Sequence, residues 1–324
     1  MGFIPSLLLS LAVTAGAVSE SPAYGPIPMA NHHPLYVGLL HPAPERAQIA
    51  DSPLMRVNVN HTNIFLFNTR GAWSTGIDKE ITQLDLSFTY PVIEENLEVG
   101  IDVSAFYSSG GVLDGAIRWW HGRLGVKGYT GQADAPDYRF MDIVRKNGRN
   151  LVNGESGASV GDMDFSFKKI LYSKSDITLS AQALLRAPVG DADSGYGAGS
   201  WEFAGRALAE MQSDWLTLHA GLGAVAPVHM QRMGQTVDLD TMWMGFASVE
   251  APVWDRLNLV VQSMYNTSPL KSADIYQYSR EFFEITFGFN YRTENGKVFT
   301  FGFSENLNQT APDFTIHLSV EGGV

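Results

Sequence analysis

The sequence contains no cysteine. That excludes a disulfide framework, Cys-ligated zinc, iron–sulfur clusters and thiol catalysis. Positive charge is scarce, with 22 Lys and Arg against 34 Asp and Glu and a net charge of −12 over 324 residues. Phosphate binding needs clustered Lys and Arg, and no such cluster is present, so a nucleic-acid partner is not expected. No run approaches the roughly 18 apolar residues of a membrane-crossing helix. The chain is nevertheless 45% hydrophobic and only 17% charged, too apolar for disorder. Glycine (32), Phe (18), Tyr (12) and Trp (7) are plentiful, which favours strands and tight turns over helices.

The N-terminus carries a short apolar run from Phe3 to Val18 that ends in Ala15-Gly16-Ala17. This reads as the hydrophobic region and small-residue cleavage site of an export signal, residues 1–17, although no Lys or Arg precedes it. No Cys follows, so a lipoprotein anchor is excluded.

From Leu54 onward, apolar and polar side chains alternate. Leu84, Leu86, Phe88 and Tyr90 interleave with Gln83, Asp85, Ser87 and Thr89; Phe283, Ile285, Phe287 and Phe289 with Glu284, Thr286 and Asn290. Period two places one apolar and one polar face on a strand. About twelve such segments are expected, near 54–67, 80–91, 96–109, 161–172, 176–188, 200–213, 215–228, 240–253, 256–268, 281–293, 296–307 and 312–321. Their connections alternate between short ones, as at Ser173-Lys174-Ser175, and longer ones at 68–79, 110–160, 189–199, 229–239 and 269–280. Tyr90, Tyr172, Trp215, Trp254 and Tyr291 fall at the short-turn ends, and Tyr107, Trp201, Trp243 and Tyr265 near the long-loop ends. Short periplasmic turns, longer outer loops and two aromatic girdles are the pattern of an all-β, antiparallel up-and-down transmembrane barrel in residues 54–324.

If the apolar faces meet lipid, the lumen receives Asp85, Glu98, Asp102, Arg186, Glu202, Arg206, Glu210, Glu284 and Arg292. Such residues are either a salt-bridged, hydrated filling or a selectivity lining with acidic excess. Residues 18–53 carry Pro22, Pro26, Pro28, Pro34, Pro42 and Pro44 and cannot form a lipid-facing strand, because proline removes ladder donors. The segment is expected in the periplasm or in the lumen as a small plug. Its adjacent His32 and His33 point apart in an extended chain, so no metal is expected there. Within the long loop, Val112, Leu113, Ile117, Trp120 and Leu124 recur at helical spacing, and Asn147-Gly148 signals a tight hairpin. A partly helical outer loop with Trp119 and Trp120 as recognition side chains is expected.

Gly25-Pro26-Ile27-Pro28 with Asn31 and Pro34-Leu35, then Gly111-Val112-Leu113-Asp114-Gly115 leading to His121, Arg139-Phe140 with Asn147-Gly148, and the closing Pro312-Asp313-Phe314 form a recognisable set. On these the chain resembles a Gram-negative family catalogued as domain of unknown function 3187. The resemblance covers most of the chain from residue 18 onward and implies an outer-membrane barrel of undefined biochemical role, with no catalytic residues to carry over. The C-terminus, Val320-Glu321-Gly322-Gly323-Val324, departs from general barrel habit in lacking a terminal aromatic.

One pair invites an enzymatic reading. His317 and Ser319 are two apart on one strand, a spacing used by an outer-membrane phospholipase, but no orienting third residue is evident. The favoured function is passive transport or binding of a small solute through a polar, acidic lumen, with no cofactor. A lipid esterase and a structural or surface-interaction barrel are the alternatives. Expected partners are outer-membrane lipid, lipopolysaccharide and the barrel-assembly machinery, with the protein a monomer in the outer membrane of a Gram-negative cell.

Overall fold

A computed structural model describes residues 23–324 apart from 34, 112, 116–118, 120, 121, 124–137, 227, 228, 309, 311 and 313. The proposed signal therefore lies outside the described residues. Sixteen strands follow in order: β1 Leu54–Arg70, β2 Trp73–Ile93, β3 Leu97–Ser109, β4 Met141–Lys146, β5 Arg149–Asn153, β6 Gly157–Lys174, β7 Ile177–Ala187, β8 Glu202–Gln212, β9 Thr217–Val225, β10 His229–Arg232, β11 Gln235–Asp238, β12 Met242–Trp254, β13 Leu257–Asn266, β14 Phe282–Arg292, β15 Val298–Asn306 and β16 Phe314–Gly323. Twelve of these pair antiparallel with their neighbours, and β1 pairs with both β2 and β16, so the sheet closes on itself. The closed barrel of twelve strands is the one the alternation calls for, with termini displaced by a few residues. Closure gives each of the twelve barrel strands a neighbour on both sides, so the barrel wall has no edge strand.

The outward face is apolar and exposed: Leu84, Leu86, Phe88, Phe167, Leu179, Phe203, Leu259, Phe287 and Leu318 lie on it. Tyr90, Tyr172, Trp215, Trp254 and Tyr291 are exposed at the short-turn end, and Tyr107, Trp201, Trp243 and Tyr265 at the other. In β2 and β3, Thr82 stands opposite Tyr107 and Tyr90 closes the band. The eight steps from Thr82 to Tyr90 rise about 26 Å along the strand, roughly 20 Å of height once tilted, near the thickness of an outer-membrane apolar band.

One departure from the sequence expectation is instructive. Residues 68–79 are not a long loop: β1 and β2 continue as one hairpin until Arg70 faces Trp73, joined by Gly71-Ala72. Ile64, Phe65 and Leu66 are all buried there, as are Asp78, Lys79 and Glu80. With both faces covered, alternation disappears, and the strand loses its sequence signature. The helix expected at 112–124 falls largely outside the described residues, Val112, Ile117, Trp120 and Leu124 among them; of the described ones, Asp114, Gly115, Trp119, Gly122 and Arg123 are helical. The same loop does form the hairpin β4–β5 at Asn147-Gly148, both with positive φ (52° and 74°), and β4 pairs with the start of β2.

The hydrophobic core sits at one end of the barrel. Trp73, Ile77, Ile81, Phe106, Val144, Leu151, Tyr196, Met230, Ile275 and Tyr278, drawn from strand ends and long connections, pack around Leu35, Tyr36 and Leu39. An N-terminal segment thus reaches the long-loop end from inside.

Candidate functional site: the filled lumen

Residues 23–53 run through the barrel as two limbs and a tip. Pro26 and Pro28 have no N–H and hold φ near −65°, and each biases the residue before it to an extended conformation. The first limb therefore joins no ladder, and its polar backbone is satisfied by wall side chains instead. The amides of Tyr24 and Gly25 donate to Glu250 at 3.0 and 2.9 Å, and Asn290 Nδ2 donates to the Gly25 carbonyl at 2.8 Å. Gln262 grips Ile27 at both ends, accepting from its amide and donating to its carbonyl, each at 3.0 Å. Asn58 Nδ2 donates to Pro28 O at 3.2 Å. The Ile27 side chain lies against Gly288 and Gly302, which face each other across β14 and β15; a Cβ on either would come within 2.9 Å of Ile27 Cδ1. Met29 packs with Met264 and Phe282.

The tip is a turn in which the Tyr36 and Val37 amides donate to His33 O at 2.8 and 3.0 Å. Tyr36 Oη donates to Tyr278 O at 2.5 Å, and the His33 ring stacks on Tyr36 at 4.2 Å. Burial lowers His32 and His41 to about 4 and His33 to about 3, and raises the Tyr36 phenol. These imidazoles are neutral. Among the described residues no group of three or more His, Asp or Glu is arranged to hold a metal.

The second limb is held by charge. Leu40 N donates to Glu202 at 2.8 Å, and Arg206 donates to Ala43 O at 2.6 Å. Glu45 stands 3.3 Å from Arg206 and 3.6 Å from Lys168, and Lys168 also meets Glu98 at 2.9 Å. Arg46 pairs with Glu210 at 2.9 Å, and Ala50 N donates to Glu98 at 3.1 Å. Between the limbs, His219 lies 3.5 Å from Glu210 and 3.2 Å from Glu250, linking the carboxylate that holds Arg46 to the one that holds Tyr24 and Gly25.

Of the residues expected to line the lumen, Glu98, Glu202, Arg206, Glu210 and Glu284 are buried inside, and all but Glu284 engage the segment or its charge partners. Asp85, Asp102 and Arg186 are half-buried. Asp85 accepts from Gln83, Ser104 and Asn58, Asp102 accepts from Ser87, and Arg186 binds Asp164 through two bonds of 2.6 and 2.7 Å. Arg292 is exposed at the end of β14. A pocket of about 120 Å³ remains at the short-turn end, lined by Glu45, Arg46, Arg56, Thr89, Glu98 and Lys168. Trp119 is exposed, and Trp120 lies outside the described residues.

His317 does not serve Ser319. Its Nδ1 meets Asn60 Oδ1 at 2.6 Å, an oxygen that only accepts, so Nδ1 carries the proton and Nε2 takes the Ser304 hydroxyl at 2.6 Å. Ser304 also bonds Thr286 at 2.7 Å, and Thr286 Oγ1 contacts Met29 Sδ at 3.2 Å. Ser304, His317 and Asn60 have the connectivity of a nucleophile, base and orienter, but all three are buried under the first limb. The sequence reading missed Gln262, Asn290, Asn58 and the two glycines; the available signal was amide and glycine at inward-facing strand positions.

A family model described as Protein of unknown function (DUF3187) matches residues 4–323. No curated protein matches the chain. The crystal structure of the COG4313 outer membrane channel from Pseudomonas putida F1 is similar in fold, with TM-score 0.56 and 12% identity over 87% of this chain and 98% of that one. The NanC porin aligns over 84% of this chain and 100% of its own at TM-score 0.46 and 7% identity. The P. putida toluene transporter TodX aligns over 95% and 96% at TM-score 0.41 and 11% identity.

Proposed function

The chain belongs to the family described as Protein of unknown function (DUF3187), and from that premise we propose that it is an outer-membrane barrel that passively admits small polar solutes, with residues 23–53 as its plug. The observation that carries this reading is the lumen itself: paired charges beside a segment that is hydrogen-bonded to the wall yet outside every ladder. Side chains alone fill an eight-stranded barrel, and the wider interior of twelve strands is here occupied by the segment. The apolar band and two aromatic rings support placement in a bilayer with the short turns in the periplasm. In this reading residues 1–17 are removed on export, the assembly machinery inserts a monomer, and lipid and lipopolysaccharide surround it. The outer loop bearing Trp119 and Trp120 meets solutes first.

Planar-bilayer recording tests the proposal. The intact protein is expected to pass little steady current, and deletion of 18–52 to raise it severalfold with preference for cations. Large steady currents from the intact protein, or unchanged currents after the deletion, would refute the plug.

A further inference from the structure

We infer that the wall facing residues 24–29 is a binding groove for an extended peptide, occupied in this structure by the chain's own N-terminal segment acting as a stand-in for cargo. The inference rests on the reading of the barrel as a passive channel and names the class of molecule it takes.

The contacts are those a peptide site makes. Four wall side chains read backbone groups: Glu250 takes two successive amides, Asn290 and Asn58 each give a proton to a carbonyl, and Gln262 pairs both polar groups of one residue. A carboxamide set against a peptide unit in this way reproduces one rung of a β-ladder, the principle by which extended peptides are held at sheet edges. Here the wall's own backbone is spent on closing the barrel, so side chains must supply the rung. Specificity comes from two apolar sites spaced i, i+2, as an extended chain presents them. The first is the notch where Gly288 and Gly302 leave room for Ile27. The second is the Met264 and Phe282 surface under Met29. Prolines at the two intervening-type positions, Pro26 and Pro28, need no donor partner and keep the ligand extended.

The two limbs differ in a way that suits one being exchangeable. The second limb is fixed by Arg46–Glu210 and by Glu45 with Lys168 and Arg206, and runs directly into β1. Residues 24–29 contain no charged side chain, and apart from Thr286 Oγ1 on Met29 Sδ their hydrogen bonds to the wall named above join segment backbone to wall side chain. Releasing them breaks no ion pair of the segment and leaves Glu250 held to His219 and Asn258.

The probe is the capped hexapeptide Tyr-Gly-Pro-Ile-Pro-Met, labelled with a fluorophore and added to a refolded variant lacking residues 1–30. Saturable binding is expected in a polarisation assay. Gln262→Leu in the same background, or N-methylation of the peptide's Ile amide, should weaken it about tenfold or more, because each removes hydrogen bonds from an otherwise buried rung. Absence of binding at 10 mM peptide (about the effective concentration a short tether provides), or binding indifferent to both changes, would overturn the inference. A second measurement avoids the deletion altogether. The chain has no cysteine, so Met29→Cys in the full-length protein gives a single thiol; free peptide should raise its labelling rate about threefold or more while a scrambled peptide does not, and equal rates would overturn the inference. Bilayer currents separate this outcome from the parent reading. If the truncated variant conducts and the peptide neither binds nor blocks, the peptide groove falls and the channel stands; if it binds peptide without conducting, the channel reading falls, and with it the role of the peptide as cargo, while the groove stands as a binding site.

Discussion

His32, His33 and His41 are neutral because burial removes the water that would stabilise their charge. Each ordinarily titrates near 6.5 and is lowered in the folded chain, so the released segment binds protons at a pH where the inserted one does not. The stabilisation of the inserted state is complete above about pH 6.5 and is lost progressively as pH falls toward 4. Conductance of the intact protein is therefore expected to rise on acidification through that window, and a flat profile between pH 7 and pH 4 would contradict it. Arg46 gives a second residue-scale test. Its partner Glu210 is fully buried, while Arg46 itself is 30% exposed, so Arg46→Ala should cost about 1–2 kcal/mol rather than the 3–5 of a fully buried pair. Adding Glu210→Gln should recover part of that loss, read as the urea midpoint of the folded barrel.

At the scale of elements, the connection between β7 and β8, residues 188–201, folds inward instead of away. Asp162 accepts from Gly190 N at 2.8 Å and from Ala198 N at 2.9 Å, and Tyr196 stacks on Phe106 at 4.6 Å. A charged acceptor shared by two amides is worth more than either bond alone between neutral partners. Asp162→Ala leaves both amides without it, and should make 188–201 a site of rapid proteolytic nicking in otherwise folded protein; cleavage no faster than in the parent would show that the aromatic stack suffices. The β1–β2 hairpin makes the complementary point. Its continuation to Arg70 and Trp73 depends on cover from β4 and from the core around Leu35, so neither half of it stands out by its own sequence.

For the whole molecule, the outward and inward faces obey opposite rules, and a single register shift would exchange them. Leu86 and Asp85 are neighbours in β2, one exposed in the apolar band and the other half-buried within. Leu86→Arg should destabilise the barrel in lipid by about 2–4 kcal/mol, the cost of Arg near the bilayer midplane, and by much less in detergent. Equal effects in the two media would place Leu86 away from hydrocarbon.

Strand number, the two faces and the girdles were legible in the sequence because lipid on one side and polar contents on the other impose period two on every strand, and each strand carries that signal by itself. The Asn147-Gly148 hairpin was legible for a similar local reason, since few residue pairs adopt two positive φ angles. The path of residues 23–53 was not. Proline excluded them from the ladder and left both the periplasm and the lumen open, because nothing local distinguishes a solvated coil from one whose amides are met by Glu250, Gln262 and Glu202 from distant strands. The same holds for His317, whose partners Asn60 and Ser304 come from two other strands, while its sequence neighbour Ser319 takes no part. Periodicity is a property of one strand against its surroundings; a pairing across the lumen depends on closure and register together, and only the tertiary structure decides it.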